Sequence, residues 1–143
     1  MIVLDTTVLV YAVGAEHPLR DPCRSLLRSV GEGVLRATTT VEVVQEFAHV
    51  RGRRRGRDDA KALASRYVDL FAPLLETKTA HLQRGLELWV RHPQLGCFDA
   101  VLAAVAQAAG SGVIVSADTG FAAVEDIVHV LPDAPGIDHL LQN

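Results

Sequence analysis

The stretch Ile2-Val3-Leu4 is apolar at every position, with no alternation between a wet and a dry face, and it ends on Asp5. A strand of that kind has to be covered on both sides, as a central strand of a parallel sheet flanked by helices is. Val113 to Ser116 is a second apolar strand, closely followed by Asp118. Val34 to Ala37 and Ile127 to Leu131 read as further short strands, and Phe71 to Thr77 as a weaker one broken by Pro73. The segments between them carry helical spacing. After the turn-prone stretch Gly14 to Pro22, Cys23 to Val30 makes one helix that stops at Gly31 and Gly33. Threonines 38 to 40 cap a second, whose apolar face is Val43, Val44, Phe47, Ala48 and Val50. Helices follow from Asp58 to about Leu70, from Thr79 to Val90, and from Phe98 to Ala109, the last ended by Gly110. A helical turn near Phe121 to Val124 precedes the last strand, and the chain finishes in a tail containing proline and glycine. Strands alternating with helices predict an α/β fold, a three-layer α/β/α sandwich around a mainly parallel sheet with right-handed crossovers.

With 143 residues, 49% of them hydrophobic, the chain suffices for one substantial core and reads as a single domain over 1–143. The formal charge of −3 gives no general electrostatic case for nucleic acid, so such a role must rest on a local patch. Cys23 and Cys97 are the only cysteines, with no Cys-x-x-Cys spacing, which argues against a disulfide framework or a zinc site and for a reducing, cytoplasmic setting. No stretch approaches the roughly 20 apolar residues of a membrane span, and no basic leader precedes the first apolar run.

The acids beside these apolar elements are the chemical signal. Asp5 and Asp118 fall at the carboxyl ends of strands, where open parallel sheets form their sites. Asp99 opens a helix, where free N–H groups favour an anion, and Glu46 sits one turn after Glu42 on the helix that follows the threonines. Carboxylates gathered beside a core repel one another and lose hydration, so they need a cation, a proton or hydrogen-bond donors. Oxygen ligands with no convergent histidine or cysteine suit magnesium or manganese, and such an ion would support phosphodiester hydrolysis. Each acid also has an ordinary structural role available. Asp5 and Asp118 could be turn or cap residues, Asp99 a helix N-terminal acid, and Glu42 or Glu46 a member of a solvated face, with spacing unable to separate the two glutamates.

Arg51, Arg53, Arg54, Arg55 and Arg57 form the one strong charge run, suited to a phosphate backbone or to an acidic partner segment, or else to a solvated loop between helices. Gly110-Ser111-Gly112 precedes its strand and so is no phosphate loop of the strand-loop-helix kind. A phosphatase with a nucleophilic aspartate after its first strand would need a second aspartate two residues on, where this chain has Thr7.

Four segments taken together, Ile2-Val3-Leu4-Asp5-Thr6-Thr7-Val8-Leu9-Val10-Tyr11, Val43-Val44-Gln45-Glu46-Phe47, Cys97-Phe98-Asp99-Ala100-Val101-Leu102-Ala103-Ala104 and Val115-Ser116-Ala117-Asp118-Thr119-Gly120-Phe121, resemble the PIN-domain nucleases. Among these, a stand-alone domain of this size is similar to the VapC toxins of toxin–antitoxin pairs. The resemblance implies a ribonuclease in which Asp5, Glu46, Asp99 and Asp118 hold magnesium or manganese, with Glu42 as the alternative to Glu46. It implies that Thr6 and Ser116 support the site, and it makes the Arg51 to Arg57 run, on its own charge, a candidate contact for RNA or antitoxin. It further implies a homodimer and a cognate VapB-type antitoxin whose tail blocks the cleft. The acid often found just before the phenylalanine of the last motif is Gly120 here, which leaves a second ion without one of its ligands. The alternatives are a non-catalytic PIN-like RNA- or protein-binding module and a metal-dependent phosphatase.

Overall fold

The computed structural model describes all residues 1–143. Four short strands, β1 (Ile2–Leu4), β2 (Ala37–Thr38), β3 (Val113–Val115) and β4 (Val128–Val130), form one parallel sheet in the order β2-β1-β3-β4. Val3 pairs with Thr38 on one side and Ile114 on the other, and Ile114 pairs onward with His129. Successive strand residues face opposite sides. Val3 and Leu4, like Ile114 and Val115, are wholly buried, so both faces of the central strands are covered. The pairing runs past the strand ends into the next residues, since Asp5 N–H donates to Val115 O at 3.0 Å and Ser116 N–H to Val130 O at 3.1 Å. Because the chain leaves β1 for one neighbour and later returns to its other side, the crevice at the carboxyl ends of β1 and β3 is the switch point of the sheet.

Seven helices surround it: α1 (Thr6–Val13), α2 (Arg20–Gly31), α3 (Val41–Arg55), α4 (Arg57–Phe71), α5 (Thr79–Arg91), α6 (Cys97–Ala108) and α7 (Ala134–Gln142), with a 3₁₀ turn over Thr119–Ala123. Helices α3 and α4 pack as one pair and α5 and α6 as another, while α1 lies against α2 and α3. Two helices were not visible in the sequence. Residues 6 to 13 of α1 are mostly β-branched or apolar and show no polar face, yet Asp5 caps them into a helix. The proline- and glycine-containing tail is α7, capped by Asp133, whose Oδ1 accepts from Gly136 N–H at 2.8 Å, with Pro135 in the first turn where its missing N–H costs nothing.

The weak strand expected over Phe71 to Thr77 is instead an irregular connection. It touches the sheet region through a single bridge between Thr40 and Leu75, and its carbonyls at Phe71 and Pro73 accept from the buried Thr38 hydroxyl at 3.0 and 3.1 Å. The strand expected from Val34 is confined to Ala37 and Thr38, and α2 begins at Arg20 rather than Cys23. The arginine run is helical almost throughout, closing α3 and opening α4 around Gly56, whose φ of 90° only glycine adopts readily.

The core is continuous from the sheet into the α3–α4 pair. Phe47 and Tyr67 meet edge to face at 4.8 Å, and the Tyr67 hydroxyl donates to Leu9 O at 3.2 Å. Burial pushes that hydroxyl up to about 12. Helices α5 and α6 come into close contact at the buried Gly85, where an added Cβ would lie 2.7 Å from Val101 Cγ2 and 2.8 Å from Val101 Cα. Even with the Val101 side chain turned away, the Val101 backbone would still block the added carbon. Gly85→Ala is therefore expected to destabilise the fold by about 1–3 kcal/mol despite alanine's better helix propensity, measured by urea unfolding.

Candidate active site

Asp5 is 3% exposed, at the point where β1 becomes α1. Its Oδ2 accepts from the Thr7 hydroxyl at 2.9 Å, the Ser116 hydroxyl at 2.7 Å and, more weakly, Thr7 N–H at 3.4 Å. All three bonds end on one oxygen, which leaves Oδ1 to the cleft. The same hydroxyls accept from the loop after β3: Ala117 N–H reaches Thr7 Oγ1 at 3.0 Å and Asp118 N–H reaches Ser116 Oγ at 2.9 Å. The carboxyl end of β1 is thus tied to the carboxyl end of β3 through two side chains. Asp118 opens the 3₁₀ turn, its Oδ1 accepting from Gly120 N–H at 2.8 Å. Glycine is required at 120, because a Cβ there would lie 2.8 Å from Gln94 O and 3.1 Å from Asp118 Oδ1.

Asp99 stands half-buried in the first turn of α6 and points into the same place. Glu46 comes from α3, and its Oε2 accepts from the buried Thr6 hydroxyl at 2.7 Å. Asp5, Glu46, Asp99 and Asp118 together line one cleft of about 530 Å³, shared with Tyr11, His17 and Arg54. Glu42 lies elsewhere. Its Oε2 accepts from the Thr77 hydroxyl at 2.9 Å, beside a separate depression lined by Cys97 and Phe98.

The electrostatics of the cleft are one-sided. None of the four acids forms an ion pair, since the salt bridges of the chain join other residues. Burial above all, then the charge of Asp5, a hydrogen bond with Asp118 and the charges of Asp118 and Glu46, push the Asp99 carboxyl up to about 8. As placed, no three of the acids close on one point as an ion would require, and the raised Asp99 carboxyl takes up a proton that relieves the repulsion. The donor set is oxygen-only, crowded and short of positive charge, which fits a hard divalent cation in kind.

Of the arginine run, Arg51 is committed to structure. Its side chain is 15% exposed, with Nε donating to Asp59 Oδ1 at 2.5 Å and a terminal nitrogen donating to Val13 O at 2.9 Å. The hydrogen bond from Arg51 is the main cause holding the Asp59 carboxyl below its usual range. Arg53, Arg54, Arg55 and Arg57 are exposed, and Arg54 alone of them reaches the acidic cleft. Thr7, Tyr11 and His17 also line the cleft, beyond the residues expected from the sequence. Thr7 carried a signal, a hydroxyl two positions after a capping aspartate; Tyr11 and His17 carried none, because only the turn after α1 brings them together.

The PIN domain family matches residues 2–127. The chain is 54% identical over 145 residues to ribonuclease VapC7 of Mycobacterium tuberculosis, covering 99% of this chain and 98% of that one. It is 35% identical to ribonuclease VapC23 of the same species over 113 residues, covering 77% and 86%. The crystal structure of M. tuberculosis VapC20, described as a toxin cleaving the sarcin-ricin loop, superposes with a TM-score of 0.68 over 80% of this chain and 87% of that one, at 20% identity. At that identity the likeness concerns the fold.

The raised Asp99 sets a pH dependence for the metal-free protein. Between the unfolded carboxyl range near 4 and the folded value of about 8, the folded state binds the extra proton, so stability is greatest on the acid side and falls as pH rises through 8. Thermal melts in a chelator should show a falling midpoint from pH 6 to pH 9. Asp99→Asn should flatten that fall and melt roughly 3 °C or more above the native protein at pH 9.

Proposed function

The chain belongs to the PIN domain family, and on that footing we propose that it is a magnesium- or manganese-dependent endoribonuclease, the toxin of a toxin–antitoxin pair. The observation that carries the reading is that Asp5, Asp99, Asp118 and Glu46 line one acidic cleft at the sheet's switch point, none of them in an ion pair. Asp5, through Oδ1, together with Asp99 and Asp118 would hold the ion, displacing the proton that Asp99 keeps without it. When bound, the ion lowers the pKa of a water and stabilises the charge that develops on a cleaved phosphodiester.

The protein's part is placement. Thr7 and Ser116 fix the rotamer of Asp5 by occupying Oδ2, and Thr6 fixes Glu46 by occupying Oε2, which leaves Oε1 for the ion or for a proton of the attacking water. Arg54 faces the acids from α3 and is suited to the phosphate of the strand, while Arg53, Arg55 and Arg57 are exposed outside the cleft, open to RNA or antitoxin. In this reading a VapB-type antitoxin silences the cleft, two copies form a homodimer, and the protein works in the cytoplasm. No helix is long and apolar enough to cross a membrane.

RNA cleavage assayed with manganese separates this reading from a non-catalytic binding module. The native protein should cut RNA, and excess chelator or Asp99→Asn should abolish the cutting. Ser116→Ala, which removes the 2.7 Å hydrogen bond to Asp5 without removing a carboxylate, should lower it roughly 10- to 100-fold and be partly rescued by more metal. Equal cleavage by the native protein and Asp99→Asn would remove the metal-site assignment, and release of phosphate from small esters without RNA cleavage would favour a phosphatase.

A further inference from the structure

Two aromatic rings stand at the mouth of the acidic cleft, and the metal chemistry uses neither. Tyr11 projects half-buried from α1, while His17 is exposed in the turn before α2. Their ring centroids are 4.5 Å apart with planes inclined by 32°. Both line the cleft that holds Asp5, Asp99 and Asp118, and no other aromatic side chain does. The pair is held in place from behind. Leu19 N–H donates to His17 Nδ1 at 3.1 Å and Arg20 N–H donates to His17 O at 3.0 Å, which anchors the ring to the start of α2. Because a backbone N–H can only donate, Nδ1 is the acceptor nitrogen and Nε2 is left as the donor at the ring's outer edge.

We propose that the Tyr11–His17 pair seats one nucleobase of the RNA strand beside the phosphate that is cut. The inference rests on the reading of this cleft as an RNA site. An unstacked base needs a flat, polarisable surface and a hydrogen-bond donor or acceptor at its edge, and this pair offers both in a fixed arrangement. Glu16, which lines the cleft next to the pair, repels a phosphate and so favours the base over the backbone at this point. The backbone has its own partner in Arg54 on α3. A cleft of about 530 Å³ has room for a nucleotide without rearrangement.

The test compares binding of a labelled single-stranded oligoribonucleotide with binding of an abasic oligomer of the same length, by fluorescence anisotropy in calcium to keep the strands uncut. The native protein should prefer the base-bearing strand by on the order of tenfold. Tyr11→Leu/His17→Ala should lose that margin while binding the abasic strand as the native protein does. Tyr11→Phe/His17→Phe, which keeps two rings but no hydrogen-bonding edge, should retain the stacking part of it, binding the base-bearing strand better than Tyr11→Leu/His17→Ala does. His17→Ala alone, which gives up only one exposed side-chain hydrogen bond, should already remove most of the margin, so the outcome does not depend on the double variant folding. A native protein that binds both strands alike or binds neither, or a Tyr11→Leu/His17→Ala or His17→Ala variant that keeps the full margin, overturns the seat. Cleavage in manganese by the same proteins separates the two readings. A native protein that cuts no RNA yet shows the base margin loses the nuclease reading and keeps the seat, whereas one that cuts RNA without a base margin loses only the seat.

Discussion

Two hydroxyls converging on one oxygen of Asp5 hold this site together. Burying a carboxyl at the end of a strand without partners would cost several kcal/mol, and Thr7 and Ser116 remove that penalty with neutral donors. Their neutrality matters as much as their geometry. A lysine or arginine in the same place would have satisfied Asp5 equally well and cancelled the negative charge that makes the cleft attractive to a cation. Since each hydroxyl also accepts from the loop after β3, the bond that satisfies Asp5 also sets where Asp118 begins its turn. One network thus answers a folding problem and aligns two of the acids.

Much of this was legible in the residues. Apolar runs without alternation gave the central strands, and an aspartate after each gave the edge of the crevice. What could not be read were features decided by long-range contact. Helical spacing puts Glu42 and Glu46 on nearly the same face, and only the approach of α1 assigns Glu46 to the cleft, through Thr6, and Glu42 to Thr77. Helix α1 was hidden because Thr6-Thr7-Val8-Leu9-Val10 has the composition of a strand, and a single capping aspartate together with burial overrides that preference. The tail was hidden for the opposite reason. Pro135 and Gly136 are residues of turns, yet in the first turn of α7 a missing N–H is harmless and Gly136 fits against Leu131 O, where a Cβ would clash. Phe71 to Thr77 had strand-like residues but no neighbouring edge long enough to pair with, so its carbonyls turn to the Thr38 hydroxyl.

The arginine run shows how a compositional feature divides once it is folded. Read as a block, Arg51 to Arg57 is a single positive patch. In the structure α3 carries most of it through a turn of helix, and the members separate by face. Arg51 turns inward and braces the ends of α1 and α4 through Val13 O and Asp59. Arg54 turns toward the acids, and its neighbours face solvent. The clustering near the C-terminus of α3 is itself favourable, since cations there offset the helix dipole. Part of the run's charge is therefore accounted for by the helix and only part by whatever the cleft binds.

Gly120 carries a consequence of a historical kind. Its backbone lies against the carbonyl of Gln94, so the turn after β3 and the connection between α5 and α6 are fitted to one another at a point with no room for a side chain. A glycine codon can become an aspartate codon in one nucleotide change, but here that change would push a side chain into a carbonyl. A lineage starting from this chain could gain a carboxylate at position 120 only after the Gln94 segment had first withdrawn. The order of substitutions is constrained by a contact that no acidic residue takes part in.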